Sequence, residues 1–237
     1  MELSVRLQAV ADLVTVGYKT ADIGTDHAYI PIYLSELGKI PGAVAMDVNR
    51  GPLERAREHV QAAGLEDRIA LRLSDGFAAL QPGEVRSAVI AGMGGGLVIR
   101  ILTAGKAVVE NLEECILQPQ SELDKVRAFL LEEGFFFLEE DMVKDDGKYY
   151  PMMKVIPPGK HKKEKEMWSE MELRYGKLLL ARKNPVLKEY LSREIRLKKE
   201  ILANLEEKGG EKIDARKEEL NREIEIAEKG MNYYALQ

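Results

Sequence analysis

Apolar residues at helical spacing, Leu3, Leu7, Val10 and Leu13, predict a short leading helix. From residue 20 the pattern changes to short apolar runs separated by amphipathic stretches. Thr20–Ile23, Ala43–Asp47, Ile69–Leu73, 87–91 and 115–117 read as buried strands, and 28–37 and 53–63 as helices between the first of them. Strands alternating with helices call for a parallel sheet with right-handed crossovers, so the first two thirds are expected to be a doubly wound α/β layer structure.

The series ends differently. The runs 135–143 and 149–156 are joined by Asp145-Asp146-Gly147, a hairpin signal, so one terminal strand is expected to be antiparallel. Pro157-Pro158-Gly159 then punctuates a change to Lys/Glu-rich composition, which divides the chain into an α/β domain over 1–159 and a helical domain over 160–237. Leu187, Leu191, Ile195, Leu202 and Leu205 share one helical stripe, and Ile213, Leu220, Ile224 and Ala227 share the next. The Gly209-Gly210 break between them predicts an antiparallel, coiled-coil-like helical hairpin. No internal repeat is evident.

With 237 residues, 45% hydrophobic and 32% charged, the chain has apolar content for one substantial domain and a smaller appendage, which excludes disorder as its main state. The net charge of −5 is unevenly spread: residues 160–237 hold 19 Lys/Arg against 16 Asp/Glu, residues 1–159 hold 16 against 24. An acidic globule with a mildly basic helical region is compatible with a nucleic-acid partner, although solvated helices carry such mixtures too. No apolar run approaches the roughly 20 residues of a membrane span and the start lacks a signal-peptide core, so a cytoplasmic protein without membrane attachment is expected. The single Cys115 lies in an apolar run and reads as an inert core thiol. His/Cys spacing gives no zinc site, and no Gly-rich segment ends in the Gly-Lys-Ser/Thr of a phosphate loop. No bound metal is expected.

The chemistry concentrates where strands should end. In Asp22-Ile23-Gly24-Thr25-Asp26-His27 an acidic residue and a flexible glycine sit at a strand-to-helix turn, and Asp47 closes the next strand one βα unit later. This is how α/β folds hold a nucleoside cofactor, with Asp47 placed to accept the ribose hydroxyls. The second glycine of the dinucleotide fingerprint is absent, and Asp26 would stand against a diphosphate. A sulfonium cofactor without phosphate, S-adenosylmethionine, suits an acidic turn better than NAD. The competing reading is plain capping by Asp22, Asp26 and Asp47. Asp75 and Gly76 after the third strand could meet an adenine or simply make a turn. Gly92, Met93 and Gly94 bring bare backbone to the carboxyl edge of the sheet, and Gln118, in Leu117-Gln118-Pro119, brings an amide to the next edge.

Taken in order, Leu3-Ser4-Val5-Arg6-Leu7, the block Ala21 to Pro31 (ADIGTDHAYIP), Gly51-Pro52, Ile90-Ala91-Gly92-Met93-Gly94-Gly95, Leu117-Gln118-Pro119 and Gly147-Lys148-Tyr149-Tyr150 resemble the blocks of the bacterial tRNA (adenine-22)-N1-methyltransferase family. The resemblance covers the first two thirds of the chain. It implies a Rossmann-like class I methyltransferase sheet with an antiparallel last strand, S-adenosylmethionine as cofactor, tRNA as partner and substrate, and a helical tail that helps engage it. Within that expectation Asp22, Gly24, Thr25, Asp47, Asp75, Gly76, Gly92, Met93 and Gly94 hold the cofactor. Asp26 and His27 border the transferred methyl or the adenine amino edge, and Arg6, Tyr29 and Gln118 hold the base or its phosphate. Gln120 stands where many relatives carry Asn. A methyltransferase acting on a small metabolite, and a non-enzymatic coiled-coil protein with a degenerate nucleoside fold, are the alternatives. The oligomeric state is not legible.

Overall fold

The computed structural model describes residues 1–161, 166–206 and 210–235. The chain divides into two units, Met1–Glu166 and Met167–Gln237.

In the first unit, α1 (Val5–Asp12) leads into β1 (Thr20–Ile23), α2 (Tyr29–Glu36), β2 (Ala43–Asp47), α3 (Arg50–Ala62), β3 (Ile69–Leu73), β4 (Ser87–Met93), α4 (Gly95–Ala104), α5 (Lys106–Val109), β5 (Glu114–Pro119), α6 (Leu123–Glu132), β6 (Phe136–Asp145) and β7 (Lys148–Ile156). The strands form one sheet in the order β3-β2-β1-β4-β5-β7-β6. The first five are parallel, and β7 runs antiparallel to both β5 and β6, as the hairpin signal predicts. Asp146 and Gly147 both have positive φ, 46° and 72°, which is the type I′ geometry that matches the twist of a two-residue hairpin.

The central strands are apolar throughout because both faces are covered. Ala43, Ala45, Val89, Ile116 and Met152 face Val10, Ile32, Leu34, Ala56 and Val60 of α1, α2 and α3, while α4 packs on β4 and β5 and against α6. β4 runs on through Gly92 to Met93, and β5 extends past the apolar run that marks it in the sequence because Glu114 and Gln118 are polar yet buried.

Each has partners. At the amino ends of the strands Glu114 accepts from the Thr15 amide at 2.8 Å and the Ser87 hydroxyl at 2.9 Å. It also pairs with Lys154 at 2.9 Å. Lys154 Nζ in turn donates to the Leu13 carbonyl at 2.8 Å and to Thr15 Oγ1 at 2.7 Å, so the chain leaving α1 is tied to the sheet. Cys115 is fully buried beside this pair, and burial pushes its thiol far above the ordinary range.

The second unit is helical: α7 (Glu170–Tyr175), α8 (Lys177–Ala181), α9 (Pro185–Glu206) and α10 (Glu211–Ala235). Pairs Lys199–Glu228 (2.6 Å) and Tyr234 hydroxyl to Asn184 carbonyl (2.8 Å) show that α9 and α10 run antiparallel. Leu187, Leu191, Leu220, Ile224 and Ala227 are buried, as the stripes predict, and Ile195, Leu202 and Leu205 are half-buried. The expected break falls partly on Gly209, outside the described residues; Gly210, with φ +129°, immediately precedes α10.

Candidate active site

β1 and β4 are neighbours whose crossovers leave in opposite directions, so the carboxyl end of β1 lies at the switch point of the sheet, where open α/β folds bind ligands. The chain turns there at Gly24 (φ +77°), a conformation that disfavours any other residue. A Cβ at Gly24 would collide with Met93 Cε. The amides of Gly24 and Thr25 both donate to the Met46 carbonyl at 2.8 Å. Thr25 Oγ1 accepts the Ala28 amide at 3.1 Å, and Ala28 itself is left-handed (φ 53°), so an over-determined elbow delivers α2.

Asp22 sits beneath this elbow. Burial is the main reason that its carboxyl is raised from 3.8 to about 6, the Thr25 side-chain hydrogen bond opposes the rise, and the charge of Asp47 adds to it. Asp47 accepts the Asn49 amide at 2.7 Å. Among the described residues neither carboxylate meets a cation.

Asp26, on the outer side of the elbow, is exposed and bonds the Arg55 guanidinium of α3, with Nε at 3.2 Å. His27 Nε2 lies 3.3 Å from the other Asp26 oxygen. The His27 ring stacks on Tyr29 (centroids 4.8 Å) and on His59 (5.1 Å), and Tyr29 and His59 close the trio at 5.2 Å. His59 Nδ1 is 3.2 Å from the His27 carbonyl. Arg55 and His59 therefore brace the elbow, from positions i and i+4 of one helix face. Sequence reading left both in the body of the helix. Their shared face beside an aromatic-rich turn was the signal that could have found them.

The opposite wall is built by α1, β4 and β5. Pairing between β4 and β5 shifts between Ala91 and Met93, which makes Gly92 (φ +80°) a bulge residue. A Cβ at Gly92 would lie 3.4 Å from Arg6 Nη1 and 3.9 Å from Gln120 Nε2, so the three converge. Arg6 lies over the Tyr150 ring at 5.5 Å, and its amide donates to Asp145 of the hairpin at 3.0 Å.

Between these walls is a cleft of about 320 Å³ lined by Arg6, Asp22, Gly24, Thr25, Asp26, His27, Tyr29, Gly92 and Gln120, among others. The fold thus brings together eight of the residues picked from sequence. Asp47 closes the neighbouring strand, and Met93 lies under Gly24. Gln118 is fully buried behind Arg6 and Gly92. Asp75 and Gly76 line a second hollow of about 360 Å³ with Phe77, Arg100 and Ile101. Gly94 faces Ser121 rather than the cleft, and Gly95 and Gly96 donate to Ser121 Oγ (3.3 Å) and Glu122 (3.2 Å); this run lets α4 start close against the turn before α6. Among the described residues no cluster of His, Cys, Asp and Glu could hold a metal ion.

The donor set fits a nucleoside cofactor bearing positive charge. Two carboxylates that meet no cation among the described residues flank backbone stripped of side chains at Gly24, an arrangement that repels a diphosphate there.

Comparison with known proteins agrees. The tRNA (adenine(22)-N(1))-methyltransferase of Bacillus subtilis (strain 168) is 39% identical over 153 residues, 65% of this chain and 64% of that protein. The chain thus aligns with just under two thirds of that curated relative's length. Streptococcus pneumoniae Sp1610, solved in complex with S-adenosyl-L-methionine, superposes with a TM-score of 0.85 at 32% identity, covering 97% of this chain and 100% of that one. M. capricolum TrmK, solved with S-adenosyl-homocysteine, superposes with a TM-score of 0.83 at 26% identity over 98% and 99%. The family profile described as TrmK, tRNA (adenine(22)-N(1))-methyltransferase, matches residues 20–229, through the elbow, the bulge and both long helices. On that match, and with the fold and cleft that accompany it, the chain belongs to the TrmK family.

Proposed function

We propose that this chain transfers a methyl group from S-adenosylmethionine to ring N1 of adenine 22 of tRNA. The observation that carries the reading is the pair of carboxylates, Asp22 and Asp47, which meet no cation among the described residues, at a side-chain-free elbow on the switch point of a sheet whose relatives include a structure bound to S-adenosyl-L-methionine. Asp22, Gly24 and Thr25 hold the cofactor's charged end, Asp47 its sugar, and Asp75 and Gly76 its base, with Gly92, Met93 and Gly94 along the adjacent edge. When bound, the cofactor supplies a methyl group on a cationic sulfur, and transfer moves that positive charge onto the adenine.

Adenine N1 already presents an in-plane lone pair, so no base is needed to create the nucleophile. Alignment does most of the work and is worth several kcal/mol, about 7 or more for a well-oriented pair. Asp26 and His27 border the amino edge of the base, where the Asp26 carboxylate offsets the developing charge. Tyr29 stacks on the extruded base and Arg6 meets the RNA backbone. The helical unit supports the larger substrate, in keeping with the cation surplus of residues 160–237. No helix of the described residues is long and apolar enough to cross a membrane, and the protein acts where tRNA is, in the cytoplasm.

The test is position-by-position mapping of methyl incorporation into an unmodified tRNA transcript. Methylation at N1 blocks the Watson–Crick edge, so a single reverse-transcription stop at position 22, abolished when that adenine is replaced by guanine, is expected. Stops elsewhere, or methylation of small metabolites only, overturn the assignment. Asp26→Ala should lower kcat with cofactor affinity unchanged; undiminished turnover removes Asp26 from the chemistry.

A further inference from the structure

The bulge at Gly92 takes an N–H out of the β4–β5 ladder and leaves it to find a partner outside the strand pairing. Gln118 satisfies it. Its Oε1 accepts the Gly92 amide at 3.1 Å and Arg6 Nη1, also at 3.1 Å. An amide oxygen offers two lone pairs, and both are now occupied. The side chain is fully buried, and its Nε2 points to the Pro119 carbonyl at 3.4 Å. Arg6 has the complementary character. Its amide is held by Asp145 and its guanidinium lies over Tyr150, yet no carboxylate pairs with that guanidinium among the described residues. A cation fixed by two neutral partners keeps its whole charge for whatever enters the cleft it lines.

We propose that Gln118 is a positioning residue that acts through Arg6 and the Gly92 bulge, and that it makes no contact with the nucleobase. This differs from the base-reading role that its strand-end position implies, and it rests on the reading that Arg6 meets RNA in this cleft. A neutral acceptor is the side chain that the geometry requires. An aliphatic residue leaves two donors unpaired, and a carboxylate holds Arg6 but offsets its charge.

A double-mutant cycle tests it, with filter binding of unmodified tRNA transcript and kcat/KM for the same transcript as readouts. R6A and Q118M are each expected to weaken tRNA binding and lower kcat/KM about tenfold, with S-adenosylmethionine affinity by calorimetry unchanged within about twofold. The double variant should match R6A alone, because Gln118 has nothing left to position. Q118E, which keeps an acceptor for both donors but offsets the charge of Arg6, should hold kcat near the wild-type value while KM for the transcript rises. Additive losses in the double variant mean that Gln118 touches the substrate itself and overturn the proposal while leaving the role of Arg6 intact. An R6A variant indistinguishable from wild type overturns the Arg6 reading and the proposal together. If Q118M does not fold, Q118E decides: a base contact through the amide N–H groups is lost in it, so a tenfold fall in kcat with cofactor affinity intact refutes positioning.

Discussion

Replacing Asp22 by Asn separates the site's function from its cost to the fold. Burial lifts the Asp22 carboxyl from 3.8 to about 6, so the folded protein holds a proton there that the unfolded chain has already lost. Below about pH 4 both states are protonated and the site costs nothing; stability then falls as the pH rises through about 4 to 6, and above that window the full penalty applies. A rise of about two pK units corresponds to about 3 kcal/mol. Asn keeps the shape without the charge but weakens the bond from Thr25, a loss of about 1 kcal/mol. D22N should therefore be about 2 kcal/mol more stable than wild type near pH 7 and no more stable near pH 4, read from urea midpoints by circular dichroism at both values. Its affinity for S-adenosylmethionine should fall, because a positive ligand is what makes an ionised Asp22 tolerable. In the wild type that affinity should drop about tenfold per pH unit below about 6, a slope that D22N removes. A D22N protein less stable than wild type near neutrality, or a difference that ignores pH, refutes the burial argument.

Three further outcomes follow from the geometry. Gly24→Ala should cost about 1–2 kcal/mol from its positive φ, and adding Met93→Ala should not restore the loss, since the flexible Met93 tip can swing aside while the backbone strain stays; full rescue in the denaturation midpoint would show that the clash, not the strain, matters. Lys154→Met leaves Glu114 buried beside Thr15 and Ser87 without its cation, and should cost about 3 kcal/mol, partly regained in a Lys154→Met, Glu114→Gln double variant; a loss below about 1 kcal/mol would contradict the buried pair. Cys115 should react with a thiol reagent only as fast as the protein unfolds, since the thiol is buried and held protonated; rapid labelling of the native protein would refute that.

The strands were legible because a sheet covered on both faces writes itself as continuous apolar runs, and the hairpin because Asp146-Gly147 supplies the two positive φ angles its turn needs. β5 was read short for one reason: a buried Glu114 or Gln118 looks like a strand end until its distant partners, 26 to 112 residues away in sequence, are seen. The same limit applies in the cleft. Asp22, Gly24 and Thr25 were readable because one local turn brings them together. The support given to Asp26 and His27 by Arg55 and His59 was not, because it depends on the pitch at which α3 crosses the elbow. Nor could a one-dimensional pattern distinguish glycines that admit a ligand from Gly94 and its neighbours, which admit the turn before α6.

The register shift at Gly92 sets the kind of change this edge can absorb over evolutionary time. Loops accept insertions and deletions readily, yet here one residue more or fewer resets the alternation of everything that follows. Loss of Gly92 would let β4 and β5 zip without interruption, turn Met93 to the other side of the layer, and leave Gln118 facing a gap. Among descendants of this chain, point replacements around the segment should therefore outnumber length changes, and a spliced variant that preserves spacing should survive where one that trims it does not.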